Sequence, residues 1–533
     1  MRFFNTEGPV NCDDHYCLPS FERLDVDEIL HLIDRKKYFV LHAPRQTGKT
    51  SCLLALMDYL NKRDKYRCLY VNVEAAQAAR EDVKRGIKAI VSELGSRADI
   101  FLEDGYPYSI WPDVFKETGE DNALNEVLTK WAMNNPKPLI LLIDEIDSLV
   151  GDTLISVLRQ LRSGYDKRPA RFPQSIILCG VRDVRDYRIH SDRQKTIITG
   201  GSAFNIKAKS LRLGNFSQKE VEILYAQHTD ETGQIFEQGC MDLVMELTGG
   251  QPWLVNALGY ESCFDMKKAR ERSIPITTTI MEEAKENIIL RRDTHLDQLA
   301  DKLKEDRVRR VIESLLAGEK ITMGFKGDDV SYVYDLGLVT RGKNGEINIA
   351  NGIYREIIPR ELSWDIQMGI YQKTAWYVNE DNTLNMEKLM VNFQEFFREN
   401  SEAWIERFDY KEAGPQLLLQ AFLQRIVNSG GRVDREYGFG AKRTDIFVSW
   451  PLDETRGFYG PVQKIVIELK ILYKSLEKTI EEGLRQTNGY MDKCGSEQGH
   501  LVIFDRKPDK SWDKKIFRKE EEFEGRKIIV WGM

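Results

Sequence analysis

One stretch constrains this chain more than any other. Tyr38-Phe39-Val40-Leu41-His42 is an apolar run of strand length, Ala43-Pro44-Arg45-Gln46-Thr47-Gly48-Lys49-Thr50 follows, and Lys49 to Lys62 has the pattern of a helix. A buried strand that passes through so short a loop straight into a helix is the opening of a parallel sheet covered by helices. Cys68 to Val73, Leu139 to Ile143 and Ser175 to Cys179 are further buried strands, and amphipathic helices separate them up to about Val181. The spacing therefore predicts an α/β unit from about Lys36 to Val181. A chain of 533 residues exceeds one core, and at about 100–200 residues per domain three to five domains are expected.

The loop has a chemistry of its own. Its N–H groups and the N-terminus of the next helix face one point, which suits phosphate. The residues match the P-loop pattern with Ala43 in place of the first Gly, and a methyl fits there if the backbone is not left-handed. Pro44, Arg45, Gln46, Thr47 and Gly48 form the cradle, Lys49 neutralises the β- and γ-phosphates, and the Thr50 hydroxyl helps to hold Mg²⁺. The strand Leu139 to Ile143 ends in Asp144 and Glu145. Asp144 is expected to orient Mg²⁺ through water and Glu145 to polarise the attacking water, so ATP hydrolysis is expected.

Two further segments belong to this reading. The strand ending Cys179-Gly180-Val181-Arg182-Asp183 places Arg182 where a polar side chain senses the γ-phosphate; the plain alternative is a surface charge, as for Arg185 and Arg188. Thr248-Gly249-Gly250-Gln251-Pro252-Trp253 reads either as a helix cap and restart or as a lid segment beside the adenine. Ser217-Gln218-Lys219-Glu220 is a capping box that opens a helical region from Phe216 to about Ile288.

Taken together, these motifs resemble the AAA+/STAND class of ATPases, and in particular AAA-like proteins related to replication-initiator ATPases. The opening Phe4-Asn5-Thr6-Glu7-Gly8-Pro9 with His15-Tyr16 is similar to the N-terminal segment of those proteins. The resemblance spans about residues 1 to 360. It implies that this segment packs near the nucleotide, that Arg182 is the sensor and that Pro252 lies near the base. It also implies a helical lid, a winged helix and homo-oligomers, with Arg159 and Arg162 as arginine-finger candidates by position.

The other end carries a second set of charges. Arg443 to Val448 and Lys464 to Lys470 read as successive strands. If they pair antiparallel around Pro451 to Pro461, Asp445 and Glu468 fall at the same end of the hairpin. Glu468 and Lys470, two apart, share a face. Two acids and one amine are the minimum set for metal-assisted phosphodiester hydrolysis: the carboxylates hold Mg²⁺ or Mn²⁺, and the amine orients water. Glu436 in the preceding strand, and Glu412 near the first helix, are further carboxylate candidates, although Gln416 and Gln420 occupy much of that helix face. Gln486 and Tyr490 share a face of the following helix.

This region, about residues 412 to 533, resembles the PD-(D/E)XK nuclease superfamily. Asp445, Glu468 and Lys470 match its motif, with Thr444 where the name pattern has Pro, and Gln486 and Tyr490 match the Gln-x-x-x-Tyr element of its RecB-like branch. From Ala413 onward 21 basic residues face 18 acidic ones, a net +3 that leaves −10 on the remainder; this suits a phosphate-chain binder.

The expected fold class is therefore α/β multidomain: a P-loop NTPase parallel sheet with helical lid, a winged helix, and a C-terminal restriction-endonuclease-like α/β domain. The expected boundaries are 1–215 for the ATPase core, 216–290 for the lid, 291–362 for the winged helix, 363–411 for a helical linker and 412–533 for the nuclease-like domain. The function this implies is an ATP-driven switch over a metal-dependent nuclease acting on DNA, in defence or mobile-element control. The rivals are a non-catalytic DNA-binding ATPase and an oligomerising signalling switch. No apolar run reaches the ~18 residues that span a bilayer, and Met1-Arg2-Phe3-Phe4 runs at once into Asn5-Thr6-Glu7-Gly8, so a cytoplasmic location without a membrane is expected. Eight scattered Cys without a Cys-x-x-Cys pair are expected to be free thiols.

Overall fold

The computed structural model describes residues 1–533 apart from 184–187, 192–195, 200–203, 292–293, 317–326, 343, 363–376, 380, 406–417, 425–430, 440–441, 454–456, 473–474, 506 and 508–509. The chain divides into two compact units, Met1–Arg291 with Ser331–Leu338, and Arg292–Val330 with Val339–Met533.

The first unit is built on a five-stranded sheet. Its strands are β1 (Tyr38–His42), β2 (Arg67–Asn72), β3 (Leu139–Asp144), β4 (Ser175–Gly180) and β7 (Lys207–Arg212), in the order β2-β3-β4-β1-β7. All neighbours run parallel, the arrangement of a P-loop NTPase. Alternation along β1 sends Phe39 and Leu41 to one core, under the helices Val26–Asp34 and Lys49–Lys62, and Tyr38 and Val40 to the other. That second core lies under the helices Val83–Leu102, Ala123–Asn134 and Gly151–Ser163. Strand β7 has no apolar run behind it: as an edge strand, Lys-Ala-Lys-Ser-Leu-Arg is only half covered. A separate hairpin, β5 (Arg188–Ser191) with β6 (Thr196–Thr199), lies between β4 and β7 in the chain.

The helical region follows with Gln218–Thr232, Cys240–Thr248, Pro252–Tyr260 and Thr278–Arg291. The Ser217–Glu220 capping box forms as predicted, each partner accepting from the other's backbone N–H. The N-terminal segment folds onto these helices. Phe4 is fully buried beside Tyr16 and Tyr225, and a Cβ at Gly259 would come within 2.9 Å of its ring.

One expectation is corrected here. Cys12 and Cys17 are joined by a disulfide, while the remaining six cysteines are buried thiols. The turn responsible is local: the Asp14 and His15 N–H groups both donate to Asn11 O, which brings the two Cα atoms to 5.4 Å. Sequence spacing alone carries no signal for such a turn.

The second unit begins with the helices Thr294–Leu303 and Asp306–Leu316, the hairpin β8 (Val339–Arg341) with β9 (Ile347–Ile349), and the helix Gly352–Leu362. The helix Met386–Ile405 leads to a six-stranded mixed sheet. Its strands are β10 (Arg432–Phe439), β11 (Lys442–Pro451), β12 (Val462–Ile471), β13 (Gln498–Phe504), β14 (Phe517–Phe523) and β15 (Arg526–Gly532), in the order β10-β11-β12-β13-β15-β14. β10, β11 and β12 form an antiparallel meander, whereas β12, β13 and β15 run parallel. The helix Leu476–Cys494 crosses over between β12 and β13 and contributes Leu484, Tyr490 and Met491 to the core on this sheet.

Within this sheet His500 is buried and its Nδ1 accepts from Trp531 Nε1 at 3.0 Å. Indole is only a donor, so the imidazole must be neutral at Nδ1. Burial, with Arg518 nearby, holds the His500 pKa down at about 3. The unfolded chain takes up a proton near pH 6.5 that the folded chain refuses, so stability is full above that pH and is lost as pH falls toward 3. We expect His500 to stay neutral in NMR titrations to below pH 5, with the thermal midpoint of the second unit falling as the pH is lowered from 6.5.

Candidate functional site

The P-loop sits where the strand–loop–helix pattern predicts it. Gly48 has φ +84°, a left-handed conformation that Gly adopts without strain, whereas Ala43 stays outside that region, so its methyl is accommodated. Lys49 is buried and its Nζ donates to Ala43 O (3.0 Å) and Pro44 O (2.9 Å), holding the ammonium inside the loop. Thr47 Oγ1 donates to Pro44 O at 2.8 Å, while Arg45 is exposed.

Asp144 is wholly buried at the end of β3, and three groups donate to it. Thr50 Oγ1 reaches Oδ2 at 2.8 Å, Tyr70 Oη reaches Oδ2 at 3.0 Å, and the Glu145 N–H reaches Oδ1 at 2.9 Å. The hydroxyl and carboxylate that the sequence pairs for Mg²⁺ are thus in contact, and as hard oxygen donors they fit that ion. Glu145 follows in a left-handed backbone (φ +56°). Burial, and then the charge of Asp147, raise its pKa above the ordinary carboxylate value, against the pull of Lys49. A carboxylate so placed accepts a proton more readily than a solvated one, which suits polarisation of water.

Asp147 also ties the neighbouring strand in, since the Val181 N–H donates to its Oδ1 at 3.2 Å. Arg182, one residue on, is largely buried. Its guanidinium lies 4.6 Å from the Tyr332 ring centroid and 3.8 Å from Asp335, both in the segment Ser331–Leu338 of the same unit. Beside it Arg212 stacks on Tyr334 at 3.8 Å and donates to Tyr334 O. A Cβ at Gly337, itself at φ +79°, would come within 2.7 Å of Pro44.

A cavity of ≈ 130 Å³ opens beside the loop. Gln46, Gly48 and Ser51 form its floor, and Phe216, Pro252, Trp253 and Asn256 one wall. Pro252 opens its helix, Gln251 caps that helix by accepting from the Leu254 N–H at 2.6 Å, and Gln251 Nε2 donates to Gln46 O at 3.4 Å. Gly250 (φ +69°) lies against Phe216, whose carbonyl oxygen would be 2.0 Å from an added Cβ. The segment is therefore a cap and restart, and it also lines the cavity.

Residues from the segment 5–23 also line the cavity. Arg23, which no motif marks, is central: Nη1 donates to Thr47 O and Nη2 to Gly214 O, both at 2.8 Å, over the face of Phe216. Tyr70 was equally invisible, since only the parallel pairing of β2 with β3 brings it to Asp144.

In the second unit, Ile446 pairs with Ile467, which sets Asp445 and Glu468 side by side. Asp445 Oδ2 accepts from the Leu469 N–H at 2.8 Å, and Lys470 Nζ donates to Glu468 Oε1 at 2.6 Å. Glu468 Oε2 is buried without a hydrogen-bond partner, a condition that costs about 1–3 kcal/mol. Burial and the charge of Asp445 raise the Glu468 pKa to about 7, against the pull of Lys470. Tyr490 joins this cluster: its phenol is pushed up to about 12 by burial and by the charges of Glu468 and Asp445. Gln486 is exposed on the same helix, and no hydrogen bond holds it among the described residues. Gln420 is buried in the helical stretch 418–424. Glu412, Gln416 and the side chain of Glu436 lie outside the described residues, although the pairs Arg435↔Ile446 and Tyr437↔Thr444 bracket Glu436 and Asp445 on neighbouring strands. Among the described residues no group of three or more His, Cys, Asp or Glu forms a metal cage. The two carboxylates and the open Oε2 nevertheless fit a hard divalent ion with water completing its shell.

Residues 33–187 match the AAA domain family, and with the loop and strand geometry above this part of the chain is a P-loop ATPase domain of AAA type. Solved structures similar to the chain include the Walker-type ATPase PABY2304 of Pyrococcus abyssi, at 15% identity and TM-score 0.41 over 66% of this chain and 98% of that one. They also include RuvB of Thermotoga maritima (12%, 0.32, 64% and 94%) and Cdc6p from Pyrobaculum aerophilum (15%, 0.32, 64% and 93%). A search among curated proteins finds no match. Among the described residues no helix is long and apolar enough to cross a membrane.

Two substitutions test this site. Lys49→Ala removes the buried ammonium and is expected to abolish nucleotide binding by fluorescence titration. Glu145→Gln keeps the shape and is expected to retain binding while ATP turnover falls by about 10²-fold or more.

Proposed function

We propose that this chain is an ATP-dependent switch that controls a metal-dependent nuclease acting on DNA. The observation that carries the reading is the meeting of Asp445, Glu468 and Lys470, with one buried carboxylate oxygen left without a partner. A carboxylate that is costly to keep ionised alone becomes favourable beside a divalent cation.

In this reading Asp445 and Glu468 hold Mg²⁺ or Mn²⁺, and Lys470, partly exposed, orients the attacking water. When bound, the ion supplies charge neutralisation at the phosphate and lowers the pKa of a water. Lys470 Nζ, which donates to Glu468 Oε1, is placed to donate to that water as well. Tyr490 fixes the helix against the acids, and Gln486, exposed on that helix, is available to a nucleic-acid strand. The basic excess from Ala413 onward suits a polyanion, and DNA is the polymer we assign to it.

The ATPase half supplies the switch. ATP sits with its phosphates on the loop and Lys49, its Mg²⁺ at Thr50 and Asp144, and its base against Pro252. Residues 216–290 act as the lid, 291–362 as a winged helix that relays the change, and 412–533 as the nuclease. Arg182 is the sensor, and Asp335 competes with the γ-phosphate for its charge. A defence or mobile-element role, a cytoplasmic location and a nucleotide-driven homo-oligomer complete the proposal.

Two measurements test it. Cleavage of linear and circular DNA in Mg²⁺ or Mn²⁺ should fall by about 10²-fold or more in Asp445→Ala, Glu468→Gln and Lys470→Ala; equal cleavage in variants and parent sinks the nuclease. Asp335→Asn removes the charge facing Arg182 and is expected to raise the affinity for a non-hydrolysable ATP analogue relative to ADP, read by competition titration, and an unchanged ratio removes Asp335 from the switch.

A further inference from the structure

Two limbs of one segment line a side of the cavity beside the P-loop, and each is held by side chains of the surrounding helices. On the first limb, Thr6 O accepts from Trp253 Nε1 at 2.8 Å, and the Val10 N–H donates at 3.2 Å to Ser51 Oγ in the helix that follows the P-loop. On the second, Gln227 of the helix Gln218–Thr232 holds both backbone groups of Cys17, the N–H at 3.1 Å and the carbonyl at 2.9 Å. Tyr16 Oη shares a hydrogen bond with His228 Nδ1 of the same helix at 3.1 Å. Val10 and Cys17 both line the cavity.

The Cys12–Cys17 disulfide joins these limbs. One covalent bond therefore ties the limb held by Ser51 and Trp253 to the limb held by Gln227 and His228. Its setting is selective as well. Cys12 is exposed and Cys17 half-buried, whereas the other six sulfurs are buried thiols. Burial holds the thiol pKa values of Cys52, Cys68 and Cys263 far above the range in which a thiolate forms. Exchange with a small thiol is thus confined to this pair.

We propose that Cys12–Cys17 is a thiol–disulfide exchange site that sets how tightly nucleotide is held, its reacting partner being a low-molecular-weight monothiol of the glutathione class. The inference rests on the reading of the adjacent cavity as the nucleotide site. A monothiolate attacks the exposed Cys12 sulfur, the protein S–S bond breaks, and Cys17 leaves as a thiolate that takes up a proton. A second monothiolate attacks the outer sulfur of the mixed disulfide, releasing Cys12 as a thiolate and forming the small-molecule disulfide. Two electrons pass from two small thiols to the protein, and the reverse sequence with the oxidised small molecule restores the bond. Once the bond is open, residues 12–17 keep only noncovalent holds, among them the hydrogen bonds of the Asp14 and His15 N–H groups to Asn11 O and of Phe3 to Asp14 and Tyr16, so this side of the cavity loosens more often.

The test uses the full chain, Mg²⁺ and N-methylanthraniloyl-ADP, with release followed by stopped flow after equilibration in oxidised or reduced glutathione. Release is expected to be about tenfold faster from the reduced protein, the change that ~1.4 kcal/mol of lost restraint produces. Cys12→Ser, and separately Cys17→Ser, should release at the fast rate in both buffers. Equal release rates from the oxidised and reduced parent, with peptide mapping showing the bond made and broken, overturn the proposal. So does mapping that finds Cys12 and Cys17 unlinked in oxidised glutathione. Failure of every form to bind the probe, with the bond forming normally, overturns the nucleotide-site reading itself and this inference with it.

Discussion

Asp144 is the charge around which the first unit is arranged. A fully buried carboxylate is tolerated only when its oxygens are satisfied, and its donors come from three different elements: Thr50 at the start of the P-loop helix, Tyr70 on β2, and the backbone of Glu145 beyond β3. Those bonds tie the loop, the edge strand and the turn at Glu145 to one another. The left-handed turn at Glu145 follows directly, and Asp147, two residues on, reaches back to hold β4. The neighbouring cavity is lined in turn by residues of the segments 5–23, 46–51 and 216–256.

The second cluster is organised by the same rule with the opposite outcome. Asp144 has its donors, whereas Glu468 is left with one oxygen unpaired and a pKa raised to about 7. Lys470 pairs with its other oxygen, and the unpaired Oε2 remains costly to bury. The two sites thus contrast a carboxylate whose oxygens the fold satisfies with one that keeps an unpaired oxygen.

Much of this was legible from residues because it is local. A strand, six loop residues and a helix follow one another directly, so Lys49, Thr50 and Asp144 could be named from the sequence. The hairpin of β11 and β12 was readable for a related reason: alternation puts Glu468 and Lys470 on one face, and antiparallel return brings Asp445 beside them. The capping box at Ser217 and the restart at Pro252 were marked by their own side chains.

The amino-acid order by itself determined the strand–loop–helix chemistry and the facing of the C-terminal acids, because both depend on spacings of a few residues. Only the tertiary structure decided the rest. Strand β7 was hidden because an edge strand buries too little to show an apolar run, and Arg23 because its carbonyl partners lie 24 and 191 positions away. The Tyr70 bond to Asp144, the stacking of Arg182 on Tyr332 and the Cys12–Cys17 bond were hidden because each depends on how a turn or a neighbouring strand closes. Contacts of that kind are set by packing, which a one-dimensional pattern does not record.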